Sequence, residues 1–183
     1  MKKNITLLFI ILISISCKSQ IITIENLVDY NSDLPEGAYI KDVNNVLNKY
    51  EGVWKGVLDN KTYEFRIIKK TQEYLEERFK EDLLLMRYKI TNAKGVVIEN
   101  TLSLPDNDVM TVSGRYLTKS GGYLLRYIGR GNCGQNGNIY ISVYDSQNKK
   151  MELSLQVDGE FYSDNCIQED EQIIPRKINL TKQ

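Results

Sequence analysis

The strongest pattern along the chain is the alternation of apolar and polar side chains. Tyr63, Phe65 and Ile67 share one face of an extended segment while Glu64 and Arg66 take the other, a period of two that reads as a half-buried strand. Comparable segments recur from Val53 onward. Val53–Leu58 and Thr62–Lys70 are separated by Asp59-Asn60-Lys61, and Leu83–Thr91 and Val96–Leu102 by Asn92-Ala93-Lys94-Gly95. Val109–Leu117 meets Tyr123–Gly129 across Ser120-Gly121-Gly122, Ile139–Tyr144 meets Met151–Val157 across Asp145–Lys150, and Ile173–Leu180 ends the series. Nine strands with short polar turns predict a mainly all-β fold: an antiparallel up-and-down meander that removes its open edges by closing into a barrel. Gln72–Asp82 is ambiguous. Leu75, Phe79 and Leu83 have helical spacing, but the flanking hairpins argue for a strand end or a wide loop.

Upstream of the strands the period changes. Val43, Val46, Leu47 and Tyr50 fall at i, i+3, i+4 and i+7, which predicts one short N-terminal helix over Asp42–Tyr50, capped by Asp42 and stopped by Gly52. Residues 17–37 read as a tether. Within it, Ile21 to Val28 is apolar enough to dock as an extra strand, and Asn31 to Gly37 is turn chemistry. The barrel-like domain therefore spans 38–183.

Residues 1–16 have the form of a removable leader. Lys2 and Lys3 precede an apolar run of 11 residues from Ile5 to Ile15. That run is shorter than the about 20 residues a membrane-spanning helix needs. It ends at Ser14-Ile15-Ser16-Cys17, which resembles a lipobox, with Ser14 and Ile15 where the usual box is more apolar or smaller. Followed by Lys-Ser-Gln, it is similar to the boxes of lipoproteins from Bacteroidota-type bacteria. The resemblance implies cleavage before Cys17 and palmitate-type acylation of its thiol. It also implies anchorage in the bacterial envelope at the outer membrane, with the side left open. Several acyl chains hold a protein durably where one does not. The plainer alternative is a secretory leader in which Cys17 is incidental.

Composition then narrows the chemistry. Without residues 1–16 the chain carries 22 basic and 24 acidic side chains, a net charge of −2, so nucleic acid is not an expected partner. About 165 residues make one core and little more. The chain contains no histidine. This excludes Ser-His-Asp and Cys-His nucleophile pairs and the histidine general base. Of three cysteines, only Cys133 and Cys166 remain once Cys17 is acylated, too few for a four-cysteine metal site. No cofactor, metal site or catalytic residue is predicted.

Two resemblances follow from the segment that opens the first strand. Gly52-Val53-Trp54 after a short helix resembles the Gly-x-Trp opening of lipocalins and related calycin barrels. In those barrels the Trp plugs the closed end, and an arginine of the last strand, here Arg176, packs over it. Ile40 to Gly56, with the preceding Cys-Lys-Ser-Gln start, resembles a family of flavobacterial lipoproteins with a domain of unknown function, which implies a compartment and no activity. Read from its own position, Trp54 is a core anchor or, alternatively, a cavity-lining side chain.

Outside the cytoplasm disulfides persist. If Asn138 faces Val157, residue 133 lies opposite about residue 162, so Cys133 and Cys166 sit at one end of the same hairpin. A bridge there closes a loop of about 30 residues and contributes roughly 3–4 kcal/mol; two free thiols are the alternative. Gly129-Arg130-Gly131-Asn132-Cys133-Gly134 fits Gly-x-Gly-x-x-Gly but is not followed by a helix, so it reads as a loop and not as a dinucleotide site. The acids Glu76-Glu77, Glu81-Asp82 and Glu169-Asp170-Glu171 read as solvated faces. The expected function is a non-catalytic, lipocalin-like domain holding a small apolar ligand in a cavity lined by residues such as Tyr63, Phe65 and Ile67, with Trp54 and Arg176 as further cavity or core residues. The alternatives are an envelope protein that contacts another protein through its surface, and a carboxylate-based glycan hydrolase, which needs two facing acids.

Overall fold

In the computed structural model, residues 20–30, 33–75, 78–129, 135–158 and 173–183 are described. Among them are eleven strands: β1 (Ile21–Thr23), β2 (Tyr39–Lys41), β3 (Gly52–Leu58), β4 (Lys61–Leu75), β5 (Phe79–Thr91), β6 (Val97–Asn100), β7 (Val112–Leu117), β8 (Tyr123–Tyr127), β9 (Gly137–Val143), β10 (Lys150–Val157) and β11 (Lys177–Lys182). Eight of them form a closed antiparallel barrel, in the order β5-β4-β3-β11-β10-β9-β8-β7. The ring closes where Leu85 and Met86 of β5 face Ser113 and Val112 of β7.

The wall has eight strands although nine were expected, and the register shows why. β4 occupies one edge of β5 along its whole length. On the other edge, β6 pairs with residues Lys89 to Thr91 and β7 with Leu85 and Met86. β6 and β7 are therefore two pieces of one lane. Thr101 continues that lane, its N–H donating to the Tyr88 carbonyl at 2.8 Å. Residues 102–111 then leave the wall and re-enter at Val112. This excursion folds back over the outer face of β5. The Arg87 guanidinium, buried on that face, donates from Nε to the Leu104 carbonyl at 2.8 Å and pairs with Asp106. Lys70 reaches the other Asp106 oxygen at 2.7 Å.

Where it is described, Gln72–Asp82 is strand apart from the turn residue Arg78. β4 and β5 run on past the barrel as an arm, paired down to Leu75 and Phe79 with an irregularity between Lys70 and Glu73, and β2 joins the other edge of β5 there at Lys80 and Glu81. Gln72 there adopts φ 58°, the left-handed conformation of a bulge residue. The hairpin period has overridden the helical spacing.

The expected helix over Asp42–Tyr50 is instead a run of turns. Its bonds reach back three residues, Asn48 N–H to the Asn45 carbonyl at 3.2 Å and Tyr50 N–H to the Leu47 carbonyl at 3.0 Å. Asn45 sits at φ 56°, which an α-helix forbids. Asn44, Asn45 and Asn48 favour such local turns over helix. The apolar stripe is only half realised: Leu47 and Tyr50 are wholly buried while Val43 is exposed.

Of the segment Ile21 to Val28, expected to dock as an extra strand, only Ile21–Thr23 is strand. β1 lies parallel to β2, which in turn lies parallel to the start of β5, and a 3-10 helix at Ile24–Asp29 follows. Ile24, Ile40, Leu47 and Tyr50 join the barrel core and plug one end. The last strand begins at Lys177, later than Ile173, because Pro175 has no N–H to donate to a ladder.

Candidate functional site

The inward positions follow from the period of two. Trp54 on β3, Phe65 on β4 and Tyr88 on β5 are mutually opposite in register, and all three are wholly buried. Tyr63 and Ile67 lie two residues to either side of Phe65 and are buried with it. These side chains belong to one continuous core cluster that also includes Tyr127, Leu125, Ile139, Ile141, Leu153 and Leu180 from the far wall. Ring contacts cross the interior, Phe65 to Tyr88 at 6.4 Å and Tyr88 to Tyr127 at 6.3 Å between centroids. Tyr63, Phe65 and Ile67 are thus core residues, packed against other side chains.

Trp54 lies beneath the plugged end. Its indole N–H donates to the Tyr50 carbonyl at 2.7 Å. The cation above its ring is Lys182, whose Nζ is 5.2 Å from the centroid and also donates to the Lys49 carbonyl at 3.3 Å. Arg176 does not fill this role. It is exposed in the bend before β11, with its own carbonyl accepting the Leu155 N–H at 2.9 Å. Trp54 pairs with Lys182, six residues further along, so Arg176 falls at the other end of the last strand.

Several buried polar side chains have defined partners. The Tyr88 hydroxyl donates to the Glu99 carboxylate, and burial pushes the phenol well above its ordinary range. At the plugged end, Asp82 accepts from the Tyr39 hydroxyl at 2.6 Å, the Asp42 N–H at 3.0 Å and the Gln72 N–H at 3.2 Å. Asp42 accepts from the Val46 and Leu47 N–H groups and pairs with Lys69 at 3.2 Å. These two acids hold the turn segment to the barrel; their oxygens are taken by the chain itself. Glu81 and Asp82 are neighbours on one strand and point to opposite faces. Burial pushes the Glu81 carboxyl up to about 7, opposed by Arg115 and reinforced by Asp82. Glu76-Glu77, Glu169-Asp170-Glu171, Arg130 to Gly134, and all three cysteines, Cys17, Cys133 and Cys166, lie outside the described residues.

Two features of the outer wall stand apart from these inward positions. Tyr116, Leu124 and Tyr140 are adjacent in register across β7, β8 and β9, with Leu124 covered between two partly exposed tyrosines. The second feature is the 102–111 excursion. Its signal is present in Pro105-Asp106-Asn107-Asp108, a turn-forming cluster inside what otherwise reads as two successive strands.

Over residues 1–183 the chain matches the family of unknown function DUF6705, and it belongs to that family. No curated protein and no solved structure matches it.

Because Trp54 is the only tryptophan, its fluorescence reports on the plugged end alone. Lys182→Ala is expected to lower unfolding stability by about 1 kcal/mol and to change the Trp54 emission, whereas Arg176→Ala leaves both within error. Equal effects of the two variants would contradict the geometry. A second expectation concerns pH. The native state favours protonated Glu81 more than the unfolded chain does, so stability falls as pH rises from about 4.5 through about 7. Glu81→Gln should remove a decline of order 1–3 kcal/mol across that window in urea unfolding curves; an unchanged pH profile would contradict the assignment.

Proposed function

We propose that this chain is an exported lipoprotein of the bacterial envelope, anchored at the outer membrane through Cys17. Its barrel is non-catalytic and makes its contacts on the outside. The observation that carries the second half of this reading is the filled interior. Tyr63, Phe65, Ile67, Tyr88 and Tyr127 occupy the space that a small apolar ligand would need, and apolar side chains are exposed instead on the outer wall, at Val96, Val97, Ile98, Tyr116 and Tyr140. The absence of histidine from the sequence and the engagement of Asp42 and Asp82 by backbone and side-chain donors favour a non-catalytic role over a carboxylate hydrolase.

The leader and the Cys-Lys-Ser-Gln start support the anchor. The described chain begins at Gln20, three residues after Cys17, and that span is at most about 11 Å. An acylated Cys17 would hold the plugged end of the barrel close to the bilayer. An oxidising compartment also suits a Cys133–Cys166 bridge. The residues that flank these two cysteines meet at one end of the β9–β10 hairpin. The Asp158 N–H donates to the Asn136 carbonyl at 3.1 Å, and the Ile173 N–H to the Gln135 side-chain oxygen at 3.3 Å. The pairing of Asn138 with Gln156 differs by one residue from the register expected from the sequence and leaves this convergence intact.

Native mass spectrometry of the protein purified from its own membrane tests the proposal. The expected spectrum has acyl mass on an N-terminal Cys17, the mass of an oxidised cysteine pair, and no stoichiometric apolar ligand. An unmodified Cys17 would remove the anchor, and a retained apolar molecule at one per chain would remove the outward-acting reading.

A further inference from the structure

Two of the barrel's departures from regularity meet on the same stretch of outer wall. One is the bulge of β4 between Lys70 and Glu73, where the register with β5 shifts. The other is the excursion of residues 102–111 out of the β6–β7 lane. Bulges re-aim side chains and loops carried on rigid walls present them. Between the two lies a recess of about 210 Å³ lined by Glu73, Tyr74, Leu83, Leu85, Asp106 and Asn107.

The lining has two kinds of surface. Leu83 and Leu85 make an apolar floor, with Leu85 nearly buried. Tyr74 stands at the edge with 68% of its surface exposed, steadied by the Lys80 ammonium 5.3 Å from its ring. Such a ring has no packing role in the core. Facing this floor are planar polar groups on a fixed support. Asp106 is gripped by Arg87 on one oxygen and by Lys70, at 2.7 Å, on the other, which leaves each oxygen a further lone pair. The same two cations hold its carboxyl below the usual range. Asn107, next to it, is exposed and has no partner among the described residues. The carboxylates of Glu73 and Asp106 are paired with Lys70 and Arg87, and the remaining cation, Lys80, lies against the Tyr74 ring, so the recess presents no unpaired carboxylate that would select for a cation.

We propose that this recess binds one neutral pyranose ring of a glycan, with the C–H face of the sugar on Tyr74 and the leucine floor and its hydroxyls bonded to Asp106 and Asn107. A flat apolar face with equatorial hydroxyls at its rim matches an aromatic edge facing planar acceptors. The volume suits a single ring and is smaller than a pocket for a drug-sized ligand. The inference rests on the reading that contacts are made outside the barrel, and it supplies the ligand class.

The test is a titration of the isotope-labelled full chain, held in a zwitterionic detergent, with D-glucose, D-mannose and N-acetyl-D-glucosamine, followed by amide NMR. Saturable shifts with at least one sugar are expected, confined to residues 73–74, 83–85 and 104–108. Tyr74→Ala should weaken that binding about tenfold with the thermal midpoint unchanged, since the ring is exposed, and Asn107→Ala should weaken it independently. No saturable shift with any of the three sugars, or undiminished binding by both variants, overturns the proposal and leaves the outward-acting reading standing. Saturable shifts centred on Tyr63, Phe65 and Ile67 would overturn both.

Discussion

The edge of β5 opposite β4 is the constraint on which the rest of the structure depends. A strand of 13 residues offers more edge than one short strand can use, and here three share it: β2 at its start, β7 in its middle and β6 at its end. The two pairs that link Leu85 and Met86 to Ser113 and Val112 turn an open sheet into a ring. Closure removes unpaired backbone from most of the wall and commits every inward side chain to a confined interior. Because β6 uses the first part of the lane, the chain must leave it before β7 can use the second. The excursion at 102–111 is therefore a consequence of how the ring closes.

The interior is filled by large side chains at the positions the alternation assigns. Trp54, Phe65, Tyr88 and Tyr127 each remove considerable apolar surface from water, and burial of this kind is the main favourable contribution to such a fold. The phenol oxygens are accommodated by placing their partners at the ends of the interior. Glu99 serves Tyr88, and the Gly121 carbonyl accepts the Tyr50 hydroxyl at 2.7 Å. Gly114 belongs to the same economy of space. A Cβ there would lie 2.8 Å from the Leu84 carbonyl and would collide with the Tyr123 hydroxyl, which accepts the Leu84 N–H at 3.3 Å. The outer wall inherits what the interior does not use: the exposed Val97 and Ile98 on β6, the tyrosines flanking Leu124, and the recess between the excursion and the β4–β5 arm.

Much of this was legible in the chain. The faces of Tyr63, Phe65 and Ile67, the existence of nine strand segments, and the docking of Ile21 onto the sheet all follow from local alternation and turn residues. The features that were not legible are those set by pairing partners. Alternation fixes the face of a strand but not which edge it occupies, so two segments sharing one lane look the same as two full strands. The cation over Trp54 depends on a register that no motif encodes; Lys182 and Arg176 are both basic residues near the last strand, and only the pairing of β11 with β3 separates them. The helical stripe at Val43–Tyr50 gave way because three asparagines and the Asp42 carboxylate satisfy the backbone in turns. The recess was hidden for a related reason: its two walls are about thirty residues apart and are brought together only by the excursion.

Closure of the ring at β5 and β7 is the claim on which the filled interior, the excursion and the outer recess all rest. Amide hydrogen exchange along that seam tests it directly. The account predicts that the amides engaged between Leu85–Met86 and Val112–Ser113 exchange as slowly as those in the middle of the β4–β5 ladder, since both are opened only when the barrel unfolds. Exchange at the seam faster by orders of magnitude, with the β4–β5 ladder still protected, would mean that the sheet is open there and would contradict the closed barrel.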